Sequence, residues 1–379
     1  MKIIIASDSY KESLSSLEVG QVIEKGFKDC IPESDIKVIP IGDGGEGTVE
    51  SLIDATEGRL INVKVLSPIS DEVNAIYGIS GDSKTAFIEM ATASGIGLVP
   101  IDKRNPLITS TYGTGQMILD ALENGVEKII IGIGGSATND GGIGMASALG
   151  VRFLDESGLP IENNNEGLSN LHSIDVTNLD NRITNTEIIV ACDVDNPLVG
   201  LNGASYVYGP QKGANSDMVK VMDQNLSRLA EVIQRDLNKD IINVPGAGAA
   251  GGLGAGLMTF LNGKLESGID IVLDFLKFDE LIDGCDLVIT GEGRFDSQTI
   301  MNKAPIGVAR RAKKKGINCI GISAVFGDSV ETLLDNGFDA VFSVVNRVDS
   351  LDKIMASTKE NLYLTSINIA KLLKLRDSI

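Results

Sequence analysis

Short β-branched runs alternating with stretches of helical period predict an α/β protein whose sheets are largely parallel. The runs lie at residues 2–6, 36–41, 60–66, 73–79, 85–90, 128–133 and 187–192, and the opening style returns from Asp286 with runs at 287–290, 317–323 and 340–345. At 379 residues the chain is long for one hydrophobic core, so two domains are expected. Residues 1–65 and 285–379, the two chain ends, are predicted to share one doubly wound, flavodoxin-like parallel sheet. Residues 66–284 then form an inserted α/β domain, with the active site expected in the cleft between the two.

The elements follow in order. Lys2 to Ala6 opens the chain as a buried strand. Ser15 and Glu18 have the spacing of a capping box, and Val19, Val22, Ile23 and Phe27 continue at helical spacing. With the run at 36–41 a βαβ unit is complete. Helices are expected from about Thr48 to Gly58, near Thr114, near Gly142 and over 217–237. In the last of these Met218, Val221, Met222, Leu229, Val232, Ile233 and Leu237 keep one apolar face for core packing. Residues 163–182 are polar and weakly periodic, which predicts a loop. The uncharged stretch 241–263 is dominated by Gly and Ala and contains Pro245, so it is expected as a glycine-rich loop leading into a short helix rather than a membrane span.

Composition removes several function classes. The net charge of −19 repels nucleic acid and anionic lipid, so neither is an expected partner. Cys30, Cys192, Cys285 and Cys319 are far apart, and His172 is the single histidine, so zinc spacing and Ser-His-Asp hydrolysis lack their parts. The dispersed cysteines fit a reducing compartment, and the apolar N-terminal run is too short for a signal peptide; a cytoplasmic protein is expected.

The 43 glycines cluster beside polar residues at the ends of the predicted strands. Gly-x-Gly-x-x-Gly occurs twice, at 42–47 and 246–251, the second with Asp270 about twenty residues on. A dinucleotide fingerprint, and with it an NAD-dependent dehydrogenase, is therefore one reading; a plain strand-to-helix turn explains either string equally well. No Walker-type Gly-x-x-x-x-Gly-Lys-[Ser/Thr] is present. The polar clusters are Ser7-Asp8-Ser9-Tyr10-Lys11 and the segments 42–48, 111–115, 132–142, 191–197, 209–214, 246–256 and 290–296. In open α/β sheets ligands sit beyond the carboxyl ends of strands. Glycine amides there hold phosphate oxygens, carboxylates hold Mg²⁺ through few direct ligands, and Lys and Arg neutralise a transferring phosphoryl. These are the parts of a kinase that lacks a Walker loop.

The segments 43–48, 134–142, 191–200, 209–214, 246–256 and 290–296 together resemble the bacterial type I glycerate kinase family, over nearly the whole chain and in family order. The resemblance implies ATP and Mg²⁺ dependence, D-glycerate as substrate and a phosphoglycerate product, commonly the 2-phospho isomer. It also implies the discontinuous two-domain architecture. The chain departs from the family where Pro-Asp-Ser-Phe-Lys is usual and Ser7-Asp8-Ser9-Tyr10-Lys11 stands, and where Gly-Lys-x-Pro is usual and Asn302-Lys303-Ala304-Pro305 stands. Both departures keep the charged residue.

Phosphoryl transfer to an alcohol needs positioning, charge neutralisation and a carboxylate to take the hydroxyl proton. Asp193, which follows the run 187–192, is the first candidate for that base; the plainer alternative is that Asp193 and Asp195 only cap the turn before Pro197. Asp43 and Asp8 are alternatives for the base or a Mg²⁺ ligand, and Asp43 between glycines also suits an Asx-turn. Lys11 and Arg294 are candidates for a clamp on anionic oxygens, with a salt bridge from Arg294 to Glu292 or Asp296 as the alternative. Ser7, Asp8, Asp43, Glu292, Asp296 and Lys303 are candidate substrate contacts. Gly134, Gly135, Ser136, Asn139 and Lys212 are candidates for ATP, and Asp140 and Asp195 for Mg²⁺. A kinase for a neighbouring hydroxy acid and a non-catalytic nucleotide sensor complete the alternatives.

Overall fold

The computed structural model describes residues 1–42, 52–53, 56–297, 299–300 and 303–376. The strands among them are β1 (Lys2–Ile5), β2 (Asp35–Val38), β3 (Arg59–Leu66), β4 (Glu72–Ile79), β5 (Thr85–Glu89), β6 (Lys128–Gly132) and β7 (Arg152–Leu154). They continue with β8 (Ser173–Asp175), β9 (Glu187–Ala191), β10 (Lys264–Glu266), β11 (Leu287–Phe295), β12 (Asn318–Phe326) and β13 (Ala340–Ser343). The chain separates into two compact units, Met1–Ser51 with Gly268–Ile379 and Leu52–Ser267.

In the first unit five parallel strands stand in the order β13-β12-β11-β1-β2. Counted within the unit this is the flavodoxin order 2-1-3-4-5, whose direction reverses between β1 and β11. The helix Ser16–Cys30 starts where the spacing predicts, with both bonds of the Ser15–Glu18 capping box formed. Ile3 and Ile5 pack with Val19, Ile23 and Phe27 of that helix and with Leu362, Ile369 and Ala370 of the helix Thr358–Arg376. A Cβ on Gly26 would lie 2.6 Å from Ser366 Cβ, so glycine is what lets the two helices approach so closely.

The second unit holds a six-stranded sheet, β10-β9-β6-β5-β4-β3, parallel from β10 to β5 and antiparallel from β5 to β3, and the small pair β7-β8. Its core gathers alternate residues of the central strands with Leu226, Leu229 and Ile233 of the helix Ser216–Leu237 and Leu253, Leu257 and Leu261 of the helix Ala249–Leu261.

Several expectations are corrected here. The units part at residues 51/52 and 267/268 rather than at 65/66 and 284/285, because β3 pairs with β4 and the helix Gly268–Phe275 packs on the helix Ala304–Lys314. Arg311 braces that second contact through Asp270, Asp274 and Asp279. On the long helix Val221 is exposed, while Val219 and Leu226 are buried in its place. The stretch 241–263, by contrast, is as expected: a glycine-rich loop with left-handed backbone at Ala250, Gly251 and Gly252 leads into a short buried helix that ends at Leu261. The expected loop 163–182 contains β8, and β10 interrupts a stretch where no strand was expected. No described helix is long and apolar enough to cross a membrane.

Candidate functional site

In the first unit the carboxyl ends of β1 and β11 carry one cluster. β11 runs through the Gly-Glu-Gly-Arg-Phe segment to Phe295, whereas the sequence pattern ended this strand at Thr290. Alternation then places Glu292 and Arg294 on one face and Gly291, Gly293 and Phe295 on the other. Ser7 and Asp8 leave β1 beside it: Ser7 Oγ donates to Gly291 O at 3.0 Å and Asp8 N to the same oxygen at 2.8 Å. A Cβ on Gly293 would lie 3.7 Å from Lys11 N and Tyr10 Cα, so the two stretches run side by side. Tyr10 is fully buried, and its hydroxyl donates to Ile322 O at 2.9 Å, which satisfies the oxygen that the usual phenylalanine lacks. Burial, reinforced by the nearby Glu292 charge, pushes the ionisation of this phenol well above its ordinary range.

Glu292 is buried, and its carboxylate accepts from Thr299 Oγ1 at 2.7 Å and from Lys303 Nζ at 3.3 Å. Arg294 forms an ion pair through Nε with Asp296 at 3.0 Å, the tether that the sequence left as its alternative role. Its side chain nonetheless stays 62% exposed. Lys11 is exposed, and Asp8 is half-buried with Oδ1 accepting from Ser9 N. Ser7, Asp8, Lys11, Glu292, Arg294, Asp296 and Lys303 thus belong to one strand-end group. Asp43 lies outside the described residues.

In the second unit the ends of neighbouring strands β6 and β9 lie level, with Gly132 opposite Ala191. From β6 the chain enters the turn at Gly134 and Gly135, both exposed; no atom stands within 4 Å of where a Cβ on Gly134 would sit, and Gly135 has φ +73. From β9 it reaches Asp193 and Asp195, both exposed. Ser267, directly after β10, donates to Asp193 Oδ1 at 3.1 Å.

The rest of the turn faces inward. Ser136 is buried, and its Oγ accepts from Lys212 Nζ at 2.6 Å; the same ammonium donates to Thr138 O at 2.7 Å. Asn139 is buried, with Oδ1 accepting from Asn165 Nδ2 and Ser205 Oγ. Asp140 is wholly buried and accepts from Thr111 N, Thr111 Oγ1, Gly142 N and Gly144 N at 2.7–3.3 Å. Loss of hydration raises the Asp140 carboxyl above its ordinary range, although these bonds oppose the rise. Burial likewise lowers the Lys212 ammonium to about 7, with the Asp140 charge opposing.

Two expectations fall on this geometry. Asp140 is unsuited to Mg²⁺, because its carboxylate is sealed from solvent and occupied by four donors. The fingerprint at 246–251 does not follow a strand, and a Cβ on Gly251 would lie 2.0 Å from Thr138 O. Its glycines let the helix backbone pack on the buried residues 138–142, which leaves them no room to cradle a pyrophosphate, so this string does not support a dehydrogenase. The string at 42–47 lies almost wholly outside the described residues. Sequence reasoning missed Ser267 and Thr299, isolated hydroxyls with no pattern of their own; an earlier recognition of β10 would have found Ser267 at a strand end.

Among the described residues no three His, Cys, Asp or Glu side chains group closely enough to hold a metal ion. One or two carboxylates beside a polyphosphate suffice for magnesium, however, and the exposed Asp195 fits that donor set.

A flavodoxin-ordered unit and a second α/β unit, each with polar residues gathered at parallel strand ends, define the class: an α/β protein with the strand-end arrangement that suits small anionic ligands. Residues 3–374 match the model of the glycerate kinase family. The chain is 54% identical to glycerate 2-kinase of Escherichia coli K12, over 98% of this chain and 97% of that one. It is 52% identical to a glycerate kinase of Bacillus cereus, over 99% and 98%. A crystal structure from Salmonella typhimurium LT2, a proposed glycerate kinase 2, superposes with TM-score 0.91 at 50% identity and covers 100% of both chains. The chain belongs to the glycerate kinase family, whose members are ATP-dependent kinases.

Proposed function

We propose that this protein transfers the γ-phosphoryl group of ATP to a hydroxyl of D-glycerate, in the manner of the type I enzymes, with 2-phosphoglycerate as product. The observation that carries the reading is the likeness to glycerate kinases across residues 3–374. Asp193, exposed at the end of β9 and oriented by Ser267, takes the proton of the attacking hydroxyl. Lys11 and Arg294 hold the anionic oxygens; the Asp296 ion pair orients the guanidinium for a two-point contact. Within the first unit Ser7, Asp8, Glu292, Asp296 and Lys303 are the proposed substrate contacts. Gly134 and Gly135 take the nucleotide phosphates, and Ser136 and Asn139, both buried, fix the turn from within. Asp195 would hold Mg²⁺, which supplies charge neutralisation at the phosphates when bound.

The test is a coupled assay for ADP formation, which should require D-glycerate, ATP and Mg²⁺ together. Phosphorus NMR of the product should show the 2-phospho isomer. ATP turnover that is faster with tartronate or a longer aldonate, by kcat/KM, would transfer the reading to that acid.

A further inference from the structure

We infer that Lys212 is a positioning residue for the nucleotide phosphates, acting through Ser136 on the exposed Gly134–Gly135 turn and never touching the ligand. The inference rests on the reading of that turn as the ATP site and states how it is held in shape.

Lys212 is 2% exposed, so its ammonium is closed to any ligand in solvent. Its place is set locally: it ends the 3-10 turn Pro210–Lys212, and Gly213 follows with φ +99. A Cβ at 213 would lie 2.5 Å from Arg104 O, so the segment is pinned where only glycine fits. From there Nζ reaches two successive parts of the turn, Ser136 Oγ at 2.6 Å and Thr138 O at 2.7 Å.

The other side of the turn is fixed differently. Ile96 N donates to Gly135 O, Ala137 N to Ser94 O, and Thr109 Oγ1 to Ala137 O. Asp140 anchors the far end through Thr111, Gly142 and Gly144. Lys212 is the cationic member of this frame, and a buried lysine is costly unless it is hydrogen-bonded and charge-compensated. An apolar side chain would fill the space with a smaller desolvation cost, but it could not grip Ser136 Oγ and Thr138 O together. The gripped residues follow directly on Gly134, where a Cβ would meet no atom within 4 Å, and Gly135, where the nearest is Ala91 Cβ at 3.5 Å. A turn of bare glycines has many backbone states, and a phosphate needs one of them.

The experiment compares Lys212→Met, Ser136→Ala and Ser136→Thr with the wild type. Calorimetric binding of ATP and steady-state kinetics with D-glycerate are both measured. Lys212→Met and Ser136→Ala should each raise KM and Kd for ATP about tenfold, with kcat and the glycerate KM within about twofold. Ser136→Thr, which keeps the hydroxyl, should restore ATP affinity. The double variant Lys212→Met/Ser136→Ala should be no weaker than either single one, since both cut the same link. Multiplying effects in the double variant, unchanged ATP affinity in folded Lys212→Met, or a change confined to glycerate would each overturn the inference. If Lys212→Met alone fails to fold, Asp140→Asn/Lys212→Met removes both buried charges, and the same loss of ATP affinity is expected of it. A wild type that binds ATP but leaves glycerate untouched would end the glycerate reading, while the binding measurements would still decide the role of Lys212.

Discussion

At the carboxyl ends of β1 and β11 the charged groups are side chains on or beside a rigid strand, with Lys11 and Arg294 reaching solvent. At the end of β6 the arrangement is turned inside out: Gly134 and Gly135 face solvent, and the charges of Lys212 and Asp140 lie sealed beneath them. The first cluster can recognise an anion by side-chain charge, the second by backbone shape. The first therefore tolerates solvent and depends on residue type. The second depends on space for the backbone and on what holds it.

Asp193, level with the glycine turn on the neighbouring strand, should give the largest effect. Asp193→Asn should lower kcat about a hundredfold or more while the melting curve stays in place. An unchanged kcat would move the base to Asp8 or Asp43.

The two clusters should next differ in their glycines. Gly291→Ala would drive a Cβ to 1.9 Å from Ile322 O and should destabilise the fold by about 2–3 kcal/mol. Gly134→Ala meets nothing and should leave the denaturation midpoint unmoved, yet raise the ATP KM severalfold. Equal stability losses at both positions would erase the contrast.

Arg294→Lys should raise the KM of an anionic substrate about tenfold, because an ammonium cannot reproduce a planar two-point contact. Wild-type kinetics would remove Arg294 from the site.

The last effect concerns pH. Lys212 releases its proton near pH 7 in the fold and near 10.5 when unfolded, so between these values the unfolded chain binds more protons. The burial penalty is complete below pH 7 and is relieved as pH rises, so this group makes stability rise with pH across that window. Melting temperatures of wild type and Lys212→Met at pH 7 and pH 9 should shift relative to each other in favour of the wild type. A constant difference would mean the ammonium keeps its ordinary ionisation.

Much of the fold is legible in the chain because strand and helix periods are local. The β-branched runs marked ten of the described strands, and Ser15 with Glu18 marked a helix start. The three-residue strands β7, β8 and β10 escaped because so short a segment carries no period. The end of β11 was misjudged for a different reason. Two glycines beside charged residues suggest a loop, yet Gly291 pairs with Ile322 in the ladder, and glycine stands there because Ile322 O leaves no room for a side chain.

Residue types and their order determined the parallel α/β elements, the absence of a Walker loop and the strand-end polar clusters, all of which follow from local pattern. Tertiary structure alone decided that Asp140 is sealed while Asp195 is exposed, that Lys212 grips Ser136, and that the glycines after Gly246 pack against the 134–142 turn. Hydration and close approach depend on neighbours far along the chain. Two aspartates, each in the segment that follows a parallel strand, therefore differ wholly in exposure, according to what folds over them.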